Sequence, residues 1–566
     1  MRIVLLWLIV TAWIIALPAD IQYFLSKSKL PSKDVSIYIK ELGSGRVVAS
    51  LNADRTRKPA SVIKVLTAYA ALLKLGFEYR WPTEFYTEGT IRNGYLNGDL
   101  VIKGYGDPSL NSKDLPDIVA QIKQRGINQI NGDIIVDRSY FDVGDQDSAE
   151  FDNYPYSPYN AMPDAMMFNE RTSTVCITPR KKTAHKEIDD PSYKIVNQVK
   201  FVSRSCRGKY AWAGSKVDMQ SEIPKLILKG ELSKYCKERK VCKIVAKPYK
   251  AFYYALREAL LKEGIEVEGN LKLSGVPSYA KLLFTHYSEP LEKIVSKALK
   301  KSNNIYARHL LLLTGVKVYG APATLKKGRK AVTYLLKSQG ALRAGEFYLD
   351  NGSGLSRHSK LSAKMLVDVY ESAYKIFGKR WMERLSIAGK DGTIKKRFRY
   401  KSAQNRAWMK TGTLKYVKNI GGYVKNRAGN YYSAVVLVNT KRPRYRAAKL
   451  QNNIINWLAR STRAPTPNKS KSVVPSASGV ETKKIISAAT SVQKREGNYY
   501  IQVVSVSKRP DKRYLSRIEQ AGFTYRVVQE KRYKVLIGGY PTKSSAQKAL
   551  PKIRQQLSKG AFIVKR

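Results

Sequence analysis

Period-two alternation of apolar and polar positions gives way to helical spacing and back again along this chain, the pattern of a multidomain α/β protein. Residues 35–42 and 46–51 alternate on either side of Gly43 and Gly45 and predict a β-hairpin. Val62, Ile63, Leu66, Tyr69, Ala70 and Leu73 then recur at helical spacing until Gly76, which predicts a helix ending there. Further on, residues 405–413, the valine-rich stretch through Gly421, Gly422 and Tyr423, and residues 431–438 read as adjacent antiparallel strands. The last seventy residues repeat the strand and helix periods in the order βαββαβ, with strands at 499–506, 525–528, 533–537 and 561–564 and helices at 513–521 and 544–557. Between these parts, residues 459–496 lose all sustained periodicity and are rich in Pro, Ser, Thr, Ala and Lys, the composition of a flexible linker.

The start of the chain changes the picture of its location. Met1 and Arg2 precede an apolar run to Leu17, followed by Pro18 and Ala19, which reads as a secretory signal peptide (residues 1–19) cleaved near Ala19. The run is short for a bilayer span, so membrane contact is expected only if it stays uncleaved. Export also makes the net charge of +58 over 566 residues a matter of anionic membrane faces or wall glycan with its carboxylates, and argues against nucleic acid. A nucleic-acid binder would need a cytoplasmic location and strongly salt-dependent affinity.

Candidate chemistry lies in three motifs. Ser61 and Lys64 stand three residues apart at the predicted helix start, where one helical turn brings the lysine amine to the serine hydroxyl. Such a pair arises by accident in a lysine-rich chain, as at Ser26 and Lys29, so the context carries the reading. A serine hydroxyl needs a base, and a lysine serves only if its pKa is lowered, by burial and by a second cation such as Lys410. Ser302, Asn303 and Asn304 follow at a turn into a helix. Ser302 would relay a proton to the leaving amine, Asn304 would hold Lys64 and the substrate amide, and Asn303 is given no chemistry. Lys410, Thr411, Gly412 and Thr413 lie on a strand edge against which an extended peptide can pair. Lys410 with Thr411 or Thr413 would bind a terminal carboxylate, Gly412 would let the substrate backbone come close, and the backbone N–H groups of Ser61 and Thr413 would form an oxyanion hole. Four histidines, His185, His286, His309 and His358, are scattered without ligand spacing, and no metal or cofactor is expected.

In this order and spacing the motifs resemble the penicillin-binding serine D-Ala-D-Ala carboxypeptidases, most closely the class C low-molecular-mass subgroup with endopeptidase activity; residues 104–110, 132–137, 350–357 and 388–393 are similar too. The resemblance implies a penicillin-binding, β-lactamase-like catalytic domain, an antiparallel sheet flanked by helices, built from residues 34–90 and 285–458 and interrupted by a mainly β insertion at 91–284. It also implies β-lactams as covalent inhibitors, and an amine-recognising acid near Asp152. Residues 497–566 resemble the SPOR domain, which binds glycan strands of peptidoglycan stripped of stem peptides. Tyr500, Gln502, Tyr533 and Val535 alternate along the strands and are expected on one sheet face, where rings could pack against sugars. The implied function is a periplasmic hydrolase of peptidoglycan stem peptides, tethered to denuded glycan at division or remodelling sites. A transpeptidase, a β-lactam hydrolase and an inactive wall-binding protein are the rivals.

All four cysteines, Cys176, Cys206, Cys236 and Cys242, fall in the insertion, and an exported chain permits two disulfides. Of the three pairings, Cys236–Cys242 with Cys176–Cys206 is the simplest.

Overall fold

The computed structural model describes residues 17–462, apart from 145–146 and 343–346, and most of 499–565. Most of the expected signal peptide and the expected linker from residue 463 lie outside the described residues. The chain divides into two compact units, 1–471 and 472–566.

The first unit is built around a six-stranded antiparallel sheet in the order Ser386–Ile387, Ala407–Leu414, Val417–Lys425, Tyr431–Asn439, Val35–Glu41, Val47–Leu51. Alternation sends Val435 and Leu437 to one face and Ala434, Val436 and Val438 to the other, so the sheet is buried on both sides. The first face packs on helices Lys64–Leu75, Leu291–Lys300, Asn304–Tyr319, Leu325–Ser338 and Ala363–Met382. Helix Asn304–Tyr319 has apolar neighbours all round, and Leu310, Leu311, Leu312 and Leu313 are each fully buried, so its sequence carries no amphipathic stripe. Helices Ala19–Ser28 and Arg444–Arg460 cover the opposite face, with Ile21 buried in that core.

The inserted part carries its own five-stranded sheet, in the order Leu271–Leu273, Ile134–Asp137, Leu100–Gly104, Pro82–Thr87, Lys281–Tyr287, with helices Leu115–Lys123 and Pro248–Lys262 sharing its core. Strand Pro82–Thr87 lies in the segment that the sequence assigns to the first domain. Its pairing with Leu100–Gly104 and Lys281–Tyr287 makes it part of the inserted sheet.

The disulfide expectation is corrected. Cys206 pairs with Cys236, while Cys176 and Cys242 are free. The parallel pairing of strands Lys194–Val202 and Lys225–Ser233 brings their exits together, Val202 opposite Ser233, which sets Cys206 and Cys236 a few residues later at a Cα separation of 5.2 Å. Cys176 and Cys242 occupy neighbouring strands but are out of register, Cys176 facing Lys240 and Cys242 facing Thr174. Closing this loop contributes about 3.5 kcal/mol by chain entropy. In native protein a thiol reagent should modify the exposed Cys242 at once and the buried Cys176 only on unfolding. Two fast-reacting thiols in folded protein would contradict that arrangement.

The second unit holds a four-stranded antiparallel sheet in the order Tyr525–Gln529, Tyr533–Tyr540, Tyr499–Val506, Phe562–Lys565, with helix Lys543–Gln556 on one face. Ile501, Val503, Val535 and Ile537 form the core beneath the helical face. The expectation of one shared face for Tyr500, Gln502, Tyr533 and Val535 is therefore corrected. Gln502 lies opposite Leu536, and Val535, the next residue, alternates to the core side together with Tyr533. A bulge between Gln502 and Val504 shifts the register that simple alternation assumes. Tyr500 and Gln502 share the face opposite the core with Arg526, whose guanidinium stands over the Tyr500 ring at 5.8 Å. Among the described residues, no helix is long and apolar enough to cross a membrane.

Candidate active site

Ser61 sits in a single 3₁₀ turn, Ala60–Ile63, that leads into helix Lys64–Leu75. One turn on, the Lys64 amine donates to Ser61 Oγ at 3.0 Å, to Asn304 Oδ1 at 2.6 Å and to the Ser353 carbonyl at 2.5 Å. Its nitrogen thus has three hydrogen-bond partners while the side chain is fully buried. Burial first, then Lys410 and Arg308, hold the Lys64 amine well below the ordinary lysine value. That environment favours the neutral amine beside the serine hydroxyl, the form that can take its proton.

Lys410 reaches in from the strand Ala407–Leu414 and donates to Ser302 Oγ at 2.8 Å and to the Thr411 carbonyl at 2.9 Å. Burial pushes its amine down to about 7. Ser302 has φ +59 and Ala60 φ +49, left-handed values that cost a non-glycine residue about 1–3 kcal/mol each and flank the reacting hydroxyl. Asn303 caps helix Asn304–Tyr319 by accepting from the N–H groups of Ile305 and Tyr306, and its amide donates to Glu170 at 2.7 Å. Capping frees Asn304 to face Lys64. The Asn304 amide donates to the Tyr159 carbonyl at 2.9 Å.

Gly412 is required for a reason besides the expected approach of a substrate backbone. A Cβ there would lie 2.7 Å from the Pro59 carbonyl oxygen and 3.0 Å from Ser61 N, so it is the nucleophile's own turn that comes close. Asn419 ties this contact down by donating to the carbonyls of Lys58 and Pro59 at 2.9 Å each. Gly354, at φ +78, is tighter still, since a Cβ would meet the Ala60 carbonyl oxygen. Thr411 and Thr393 share a hydroxyl hydrogen bond of 2.8 Å, and Lys418 donates to the Thr413 hydroxyl at 3.1 Å. The structure thus brings Ser61, Lys64 and Asn304 into one hydrogen-bonded group and Ser302 and Lys410 into a second, near enough for the Lys410 charge to depress the Lys64 amine, with Thr411, Gly412 and Thr413 along the strand edge.

Asp152 is half-buried and accepts from the Tyr159 hydroxyl and the Asn160 amide, both at 2.8 Å. Through Tyr159 it stands next to Asn304, outside the reacting cluster. Arg357, whose guanidinium donates to the Phe151 carbonyl at 2.6 Å, sets a cation beside it. Ser353, Arg308 and Arg357 were not assigned a role from sequence. Their signals were present: glycines on both sides of Ser353 and a lone arginine inside an apolar helix, one turn after Asn304.

Protonated Lys64 cannot accept the Ser61 proton, so acylation should fall as pH drops through the lowered Lys64 ionisation and level off above it. The check is the second-order rate of penicillin capture from pH 5 to 11. A rate governed by an ionisation at the free-lysine value of 10.5 would contradict a pre-lowered base.

Known proteins share this arrangement of chain and fold. The sequence profile of the D-Ala-D-Ala carboxypeptidase 3 (S13) family matches residues 17–461, and that of the SPOR domain matches residues 496–565. The D-alanyl-D-alanine carboxypeptidase DacB of Haemophilus influenzae is 30% identical over 446 residues, 76% of this chain and 92% of that protein. The D-alanyl-D-alanine carboxypeptidase of Actinomadura sp. is 27% identical over 434 residues, 74% of this chain and 80% of its own. The crystal structure of penicillin binding protein 4 from Haemophilus influenzae superimposes with a TM-score of 0.68 at 28% identity, covering 78% of this chain and 99% of that one. The same protein complexed with a β-lactam gives 0.65 at 28% identity, with 78% and 100% covered.

Proposed function

We propose, for a chain that belongs to the S13 family of D-Ala-D-Ala carboxypeptidases and is a class C penicillin-binding protein with a C-terminal SPOR domain, that catalysis runs through an acyl-enzyme on Ser61. The observation that carries this reading is the buried Lys64 amine 3.0 Å from Ser61 Oγ with its pKa lowered. Ser61 Oγ attacks the carbonyl of the penultimate D-alanine in a peptidoglycan stem while Lys64 takes the hydroxyl proton. The Ser61 and Thr413 N–H groups stabilise the oxyanion, an interaction whose loss typically costs about 3–4 kcal/mol. The amide C–N bond then breaks, and the leaving amine receives its proton by way of Ser302, which Lys410 holds at 2.8 Å. Water attacks the ester, returns Ser61 to its hydroxyl form and releases the shortened stem.

Lys410, Thr411 and Thr413 hold the carboxylate of the leaving D-alanine. Where the leaving amine belongs to a diaminoacid of a second stem, the reaction is an endopeptidase cleavage of a cross-link. Asp152 then faces an amine and the neighbouring Arg357 a carboxylate. The second unit tethers the enzyme to denuded glycan through the face that carries Tyr500 and Gln502, in an exported protein acting in the periplasm.

Product analysis tests the reading. Purified protein should release free D-alanine from a pentapeptide stem and monomers from a cross-linked dimer, with β-lactams blocking both. Release of D-alanine without dimer cleavage would restrict the activity to carboxypeptidase; neither product from folded protein would remove the hydrolytic reading.

A further inference from the structure

Five separate segments converge on a groove of about 710 Å³ beside the nucleophile turn, and their charges are almost all of one sign. Lys33, Arg55, Lys58, Lys441 and Arg442 line it with exposed side chains. Arg57 is buried at its base, hydrogen-bonded to the neutral Ser36 hydroxyl at 2.9 Å and the Lys33 carbonyl at 2.7 Å. Among the described residues lining the groove, Asp34 is the only acid, and it accepts from the Thr440 hydroxyl at 2.8 Å. So many like charges repel one another, and an anion in the groove relieves that repulsion.

Position ties the groove to the chemistry. Lys58 lies three residues before Ser61, and Tyr416, on the opposite wall, lies three residues after Thr413. Three residues span at most about 10 Å, so the groove opens within a few peptide units of the reacting bond. Its floor is joined to the nucleophile turn. Lys58 N–H donates to Asn439 Oδ1 at 2.7 Å, and the Lys58 carbonyl accepts from Asn419 and Asn439.

We infer that this groove is a subsite for the free α-carboxylate of the glutamate in the peptidoglycan stem, selecting stems in which that carboxyl is free over stems in which it is amidated. The assignment rests on the stem-peptide reading above. In a stem whose terminal amide lies at Ser61, the glutamate stands two residues from the acylated D-alanine, within the reach just given. The pairing is solvent-exposed and weakens with salt over a Debye length of about 8 Å at physiological ionic strength.

The test titrates full-length Ser61→Ala protein, which cannot turn over, with a stem pentapeptide bearing free glutamate carboxylate and with the same peptide amidated there. The free form should bind about tenfold or more tighter at low salt, with the preference shrinking at high salt. The charge reversal Arg55→Glu, Lys441→Glu, Arg442→Glu should abolish the preference. With Ser61 intact, the same reversal should still take a fluorescent penicillin, which shows that its site is folded. Equal affinity for the two peptides, or a preference that survives charge reversal, overturns the assignment. A wild-type protein that takes no penicillin label overturns instead the hydrolytic reading, so the two failures are told apart.

Discussion

Ser61→Ala is expected to abolish covalent capture of a fluorescent penicillin and to lower stem-peptide turnover by about 10⁴-fold or more, because no other hydroxyl replaces the one removed. Ser302 is the nearest alternative, but its hydroxyl is engaged by Lys410 and not by Lys64. The variant should fold normally. Lys64 keeps its bonds to Asn304 and Ser353 after Ser61 Oγ is lost, so its amine is not left without partners. A denaturing gel of wild type and variant after labelling reads the result. Label on the variant at wild-type intensity would move the nucleophile elsewhere, and no label on folded wild type would leave a wall-binding protein that has lost catalysis.

Lys64→Met carries the second large effect. Methionine matches the length of the lysine stem and removes the amine, so the acylation rate should fall by about 10²–10⁴-fold through loss of the general base. Stability should change far less. The carbonyl of Ser353 and the amide oxygen of Asn304 lose a donor, which costs about 1–3 kcal/mol, but a polar amine that the fold must otherwise desolvate is gone. Adding Ser61→Ala to this variant should lower turnover little further, since the two groups act as a unit. A Lys64→Met enzyme that still acylates within about threefold of wild type would exclude this lysine and leave the Lys410–Ser302 pair as the base. That rate is read by penicillin capture under single-turnover conditions.

The two variants probe the part of the site that local pattern made visible. Ser61 and Lys64 are one helical turn apart, and a chain that turns helical after Pro59 must set them side by side. Asn303 and Asn304 open a helix whose start the sequence announces, and the cap geometry follows from the asparagine type. Lys410 to Thr413 sit in a strand marked by alternation. Other expectations failed where local pattern carries no information. The disulfide joins Cys206 to Cys236 because two strands pair in parallel, a choice made by the surrounding sheet. The expected common face for Tyr500 and Val535 failed on the pairing register, which sets Gln502 opposite Leu536 and is chosen between strands, leaving no trace in composition. Strand Pro82–Thr87 joined the inserted sheet because its partners, residues 100–104 and 281–287, lie downstream, the second running across the expected boundary at 284.

By itself, then, the amino-acid order determined which residue types stand one turn or one strand step apart: a serine before a lysine on a helix start, an asparagine at a helix cap, a lysine on a strand edge. Only the tertiary structure decided that Lys64 is buried, that Lys410 and Arg308 lie near enough to depress it, and that Gly412 and Gly354 leave room for the nucleophile's turn. The physical reason is that spacing along a helix or strand is set by backbone geometry within a few residues. Desolvation and charge proximity are set instead by segments hundreds of residues apart, such as Lys64 and Ser353, brought together when the apolar faces of sheet and helices are removed from water.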